Sequence, residues 1–194
     1  MIFDGRIYSV LIVSSSDKIT DALRSLMPSG SYEPVVVANS ISAAKRNLLE
    51  ASYDFVIINT PLPDDFGMRF AIDVCADKST VCLMLVRSEH YEETHAKVSP
   101  HGVFTLSKPS PASTIQIALS WMATTRERLR NVAKKSLSLE EKMEEIRLVN
   151  RAKWILINQL KMTEPEAHRY IEKQAMDCCV TKYEIAQSII RTYT

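Results

Sequence analysis

Five short runs of apolar and β-branched residues constrain this chain more than any other feature. They are Tyr8 to Val13, Pro34 to Ala38 around Val35-Val36-Val37, Phe55 to Ile58, Val81 to Val86, and Gly102 to Leu106. Strands that are apolar on both faces need cover on both faces. The intervening stretches supply it. Ile19, Leu23 and Leu26 share one helical face, stopped by Pro28-Ser29-Gly30. Ala43, Ala44, Leu48 and Leu49 mark a second helix, residues 67–76 a third, and Ile115, Leu119 and Met122 one after Lys108-Pro109. Strand–helix alternation of this kind predicts an α/β domain, a doubly wound parallel five-stranded sheet with its functional crevice at the carboxyl ends of the strands. Ser14, Ser15, Asn59, Val86 and Lys108 fall there.

Several function classes are excluded by what the chain cannot write. Its four glycines, Gly5, Gly30, Gly67 and Gly102, form neither a GxGxxG nor a GxxxxGK[ST] loop, so dinucleotide and P-loop chemistry are not expected. Cys75, Cys82, Cys178 and Cys179 contain no C-x-x-C pair, and His90 and His95 stand at a spacing that does not align two ligands on a helix. Reduced thiols in a cytoplasmic protein without metal or cofactor are the expectation. No Ser/His/Asp, Cys/His or paired-carboxylate set can be assembled, which argues against an enzyme. The longest apolar run, Val81 to Val86, is far short of a membrane span, and the first residues have no export-signal profile.

Charge is uneven although the net is only +1. Residues 1–118 hold ten Lys/Arg against thirteen Asp/Glu, whereas 119–194 hold fourteen against ten. Two modules with different partners are implied. From Met122 the strand signal stops. A spacing of 3.5 residues places Met122, Leu129, Ser136, Met143 and Asn150 in one row and Thr125, Val132, Leu139, Ile146 and Lys153 in the next. Such a stripe on a polar helix is driven to bury itself against a partner helix, predicting a coiled-coil homodimer over 122–145. Ser138-Leu139-Glu140-Glu141 also fits a capping box, leaving two shorter helices as an alternative.

The rear writes two helix starts. Thr163-Glu164-Pro165-Glu166 and Thr181-Lys182-Tyr183-Glu184 each place Glu three residues after Thr. The apolar sets are Val149, Ala152, Leu156 and Leu160; Ala167, Tyr170, Ile171, Ala175 and Cys178; and Ile185, Ala186, Ile189 and Ile190. They predict a three-helix bundle over 146–194, with Arg151, Lys153, Arg169 and Lys173 among the polar-face cations.

The front, over about residues 6–123, resembles the receiver domain of two-component response regulators. The resemblance lies in the five βα units, in Pro63 and Gly67 after Asn59, and in Lys108-Pro109. It implies a flavodoxin-like fold and a phosphoryl-accepting Asp after the third strand. Two Mg²⁺-binding acids would follow the first strand, a hydroxyl the fourth, and a phosphate-contacting Lys the fifth. Only Lys108 is kept. Asn59 stands for the acceptor, Ser14 and Ser15 for the acids, and Val86 for the hydroxyl. A carboxamide is a poor nucleophile and two serines supply no charge for Mg²⁺, so the front reads as a degenerate receiver over 1–121, open to regulation by a ligand or partner protein.

The rear resembles the ANTAR domain, the RNA-binding output module of bacterial antiterminators. The match rests on Asn150-Arg151-Ala152-Lys153-Trp154, Thr163-Glu164-Pro165-Glu166-Ala167-His168-Arg169 and Gln174-Ala175-Met176-Asp177. It implies recognition of stem-loops in nascent messenger RNA, with Ala152, Lys153, Arg169, Ala175 and Met176 carried over as contacts. Arg151 and Lys173 are added on charge and spacing. Trp154 replaces a glycine common in that family, and packing is favoured for it over base stacking. A DNA-binding regulator and a protein-interaction adaptor are the competing functions.

Overall fold

The apolar runs become five parallel strands in the order β2-β1-β3-β4-β5, in a computed structural model that describes residues 5–76 and 79–193. The strands are β1 (Tyr8–Val13), β2 (Tyr32–Ala38), β3 (Phe55–Asn59), β4 (Val81–Arg87) and β5 (Phe104–Lys108). Helices α1 (Asp17–Ser25), α2 (Ile41–Glu50), α3 (Met68–Ala76) and α4 (Ser88–Val98) fill the crossovers, and α5 (Ala112–Leu160) follows β5. Alternation along each strand splits the core in two. Leu11, Val56, Ile58, Met84 and Val86 face one layer with Ile41, Phe70 and Val98. Val10, Ile12, Ile57, Leu83 and Leu85 face the other with Leu23, Leu119 and Met122. This is the doubly wound, flavodoxin-like arrangement.

Helix α4 has no counterpart in the sequence reading. Among its eleven residues only Thr94 and Val98 are buried, so its polar sequence carries almost no apolar period.

The structure forms two compact units, Met1–Asn131 and Val132–Thr194, with α5 contributing to both. The first runs past the expected end at 121 for two physical reasons. Met122 and Ala123 are fully buried against the sheet and Leu129 packs beside them. Moreover, Asp54, buried before β3, accepts from Arg126 Nε and Arg130 Nη2, both at 2.7 Å. Its other oxygen accepts from the Ser9 backbone N–H at 3.1 Å. Arg130 also pairs with Glu127 at 2.7 Å and lies over the Tyr8 ring. Burial and Glu127 push the Tyr8 phenol up to about 12. Met122 and Leu129, assigned from sequence to the dimer stripe, therefore serve the sheet core. The uncovered apolar stripe begins at Val132 and continues through Leu139, Met143 and Ile146, all more than half exposed.

In the second unit, α5 passes through Ser138 without a break, so the capping-box signal there starts no helix. Helices α6 (Glu164–Asp177) and α7 (Lys182–Tyr193) begin where the two Thr-x-x-Glu boxes place them. Thr163 N–H donates to Glu166 Oε2 at 2.8 Å and Thr181 N–H to Glu184 Oε2 at 2.9 Å. Ala152, Leu156, Ala167, Ile171, Ala186 and Ile189 form the core. Leu160, Tyr170 and Cys178, expected inside, are exposed because each lies at or beyond the edge of its helix's apolar face. Helix α6 ends in a paired-bond turn, with Val180 N–H donating to the Ala175 carbonyl at 3.0 Å and Cys179 N–H to that of Met176 at 3.2 Å. Cys179 takes the left-handed position, φ 54°, that glycine commonly fills in this turn.

Candidate functional site

The crevice of the first unit is closed by an uncharged link. Asn59, buried at the end of β3, donates through Nδ2 to Ser14 Oγ at 3.1 Å. Its Oδ1 accepts from the ammonium of Lys108, which also donates to the Thr60 carbonyl. Ser14 Oγ in turn accepts from the Ser16 N–H at 3.2 Å. One amide thus satisfies a hydroxyl on one side and a cation on the other, using its acceptor and a donor at once. Burial, and after it the charge of Arg87, hold the Lys108 ammonium below the usual lysine range.

Ser15 is exposed on the loop after β1 and joins none of this network. Val86 is fully buried in the layer shared with α2 and α3, so it presents nothing to the crevice. Arg87 and Ser88, which follow it, border the opening instead. Sequence reasoning missed this pair; the signal was that the apolar run stops at Val86. The acids after β3 are engaged elsewhere. Asp64 accepts from the N–H groups of Ile41 and Ser42 at 3.0 and 2.9 Å, capping α2, and these bonds lower its carboxyl below the usual range. Asp65 accepts from the Gly67 N–H at 2.5 Å. Gly67 itself has φ 91°, and a Cβ there would lie 3.2 Å from the Ile58 side chain. Among the described residues no group of three or more His, Cys, Asp or Glu is gathered as a metal would require.

The second unit presents two exposed faces at helical spacing. Arg147, Arg151 and Trp154 lie at i, i+4 and i+7 on α5, as do Arg169, Lys173 and Met176 on α6. Arg151, Arg169 and Lys173 are exposed and carry no ion pair among the described residues. Trp154 is 65% exposed, contrary to the packing role expected for it, because positions 152 and 156, not 154, face the bundle core. Met176 is 78% exposed.

Two expected contact residues lie inward. Ala152 is wholly buried against the α6–α7 core, where a small side chain lets the helices approach, and Ala175 is largely buried at the edge of a groove beside Met176. Ala152 therefore presents no surface to a ligand's backbone, whereas Ala175 borders that groove. Lys153 keeps 17% side-chain exposure and its Nζ binds Glu164 Oε1 at 2.7 Å, so its charge joins α5 to the start of α6. Lys182 likewise reaches Glu172 at 2.5 Å, joining α7 to α6. These two pairs lower both glutamate carboxyls.

Comparison with known proteins agrees with both halves. Residues 137–190 match the ANTAR domain. The chain is 24% identical over 183 residues to the transcriptional regulatory protein PdtaR of Mycobacterium tuberculosis, covering 94% of this chain and 89% of that one. Among solved structures, the signal receiver domain of an HD domain-containing protein from Pseudomonas fluorescens Pf-5 aligns with a TM-score of 0.58 and 22% identity, over 66% of this chain and 95% of that one. The chemotaxis response regulator CheY4 of Vibrio cholerae aligns with a TM-score of 0.53 and 24% identity, over 60% and 98%. Among the described residues no helix is long and apolar enough to cross a membrane. The chain therefore joins a domain of the response-regulator receiver fold to an ANTAR domain.

Proposed function

We propose that this protein is a transcription antitermination regulator that binds stem-loops in nascent messenger RNA as a homodimer, and that its receiver-fold unit accepts no phosphoryl group. The observation that carries the RNA reading is the ANTAR match over residues 137–190, on a unit that exposes the cations Arg151, Arg169 and Lys173 and the Trp154 indole. Splayed loop bases are read by stacking and hydrogen bonding, while arginine and lysine hold phosphates. In this reading Arg151, Arg169 and Lys173 contact the RNA backbone, and Trp154 and Met176 offer faces to bases. Lys153 and Ala152 hold those faces in place from within, and Ala175 borders the groove beside Met176. The relative named as a transcriptional regulatory protein supports the same class of activity.

The phosphate-blind crevice follows from functional groups. Asn59 lacks the nucleophilic oxygen pair of a carboxylate, and its amide is held between Ser14 and Lys108. Dimerisation is supported by the uncovered stripe of Val132, Leu139, Met143 and Ile146, which repeats at coiled-coil spacing.

A gel-shift titration with tandem-hairpin RNA against duplex DNA of matched length tests the activity. Preferential hairpin binding, weakened by Arg169→Ala with helix content unchanged, is the expected result. Duplex preference, or indifference to both nucleic acids, overturns it. Incubation with acetyl phosphate and Mg²⁺ should leave the intact mass unchanged; a stoichiometric base-labile gain overturns the phosphate-blind reading.

A further inference from the structure

The loss of acids at the crevice leaves cations behind. Ser14 follows β1 and Asn59 ends β3, while Asp64 and Asp65 cap backbone amides. On the other side, Arg87 and Lys108 are register partners on β4 and β5. A cavity of about 600 Å³ opens beside them, lined by Ile19, Arg87, Ser88, Glu89, Lys108 and Pro109. We propose that this cavity reversibly binds a small phosphorylated organic anion, with Arg87 and Lys108 as its counter-charges.

Donor inventory supports this. Asn59 and Thr60 take two of the three ammonium hydrogens of Lys108, leaving a third for a ligand. Arg87 offers a planar fork whose one ion pair among the described residues is with Glu89 at 3.6 Å, and both side chains are about 60% exposed, so the fork can turn inward. The burial that depresses the Lys108 ammonium is aggravated by Arg87, and an anion between the two relieves that repulsion. The groove is open, so the chemistry of its lining and not its volume points to an organic body beside the phosphate. Ile19 and Pro109 give that body an apolar wall. Glu89, the one acid among the described lining residues, competes for Arg87.

The proposal rests on the reading that the crevice is not phosphorylated covalently, and its test is independent of that reading. The full chain, amide-labelled for NMR, is titrated at constant ionic strength with adenosine 5′-monophosphate, inorganic phosphate and adenosine. Expected are saturable shifts at Ser88, Glu89 and Lys108 with the monophosphate, weaker ones with phosphate, and none with adenosine. Arg87→Gln should weaken binding about tenfold and Glu89→Gln should tighten it. Absence of saturable shifts with both phosphates, or shifts indifferent to Arg87→Gln, overturns the proposal. A covalent mass gain from acetyl phosphate would instead sink the phosphate-blind reading, so the two failures are distinguishable.

Discussion

Asn59 differs from an aspartate by one group, yet that group decides what the end of β3 can do. It gives Ser14 a donor and Lys108 an acceptor without bringing a charge. Its identity was legible in the sequence because strand ends in a doubly wound sheet are identifiable from hydropathy alone. Val86 was harder: its burial depends on which layer the last β4 residues face, a matter of register. Trp154 and Ala152 show the same limit from the other side, since a small shift in helix phase exchanges an inward position for an outward one. Trp154→Ala should weaken hairpin binding by about 1–3 kcal/mol if a base stacks on the indole, measured by titration at fixed salt. Asp54 invites a second substitution. Asp54→Ala leaves Arg126 and Arg130 without their shared partner, and such losses at buried pairs cost about 3–5 kcal/mol. Chemical denaturation of the first unit should register most of it.

Helix starts and stops were read with unequal success, for reasons of local chemistry. The boxes at Thr163 and Thr181 work because the preceding backbone is already extended or turning. Ser138 offers a similar box, with Ser in place of Thr, but sits inside unbroken α5 among lysine, leucine and glutamate residues that favour helix. Glu166 and Glu184 are lowered chiefly by backbone N–H bonds from Thr163 and Thr181, and Glu164 and Glu172 by bonds from lysines. A carboxyl lowered on folding stabilises fully above its unfolded value and loses that contribution as pH falls through the folded one. The second unit should therefore melt earlier as pH drops below about 4, the ordinary glutamate range. Methyl signals of Ala167 and Ala186 during heating would follow that unit alone. At the other end of α6, Cys179→Gly removes a side chain from a left-handed backbone position and should stabilise by about 1 kcal/mol. A lower melting point for that variant would contradict the turn geometry.

For the whole chain, sequence conveyed the class of each half better than the point where they divide. Hydropathy marked the end of strand-like runs near Met122, but the sheet goes on recruiting α5 through Met122, Ala123 and Leu129. A 3.5-residue stripe cannot say which of its members face a sheet and which face a second copy. The exposed remainder makes a sharp prediction: Leu139→Asp with Ile146→Asp should convert a dimer into a monomer by sedimentation equilibrium, leaving the receiver-fold unit folded. A native protein already monomeric at micromolar concentration would refute the pairing. The Asp54 cluster carries a practical corollary. Any fragment trimmed where the strand signal fades would strand a carboxylate in the interior without its two guanidinium neighbours, so the shortest autonomous front piece must extend beyond Arg130.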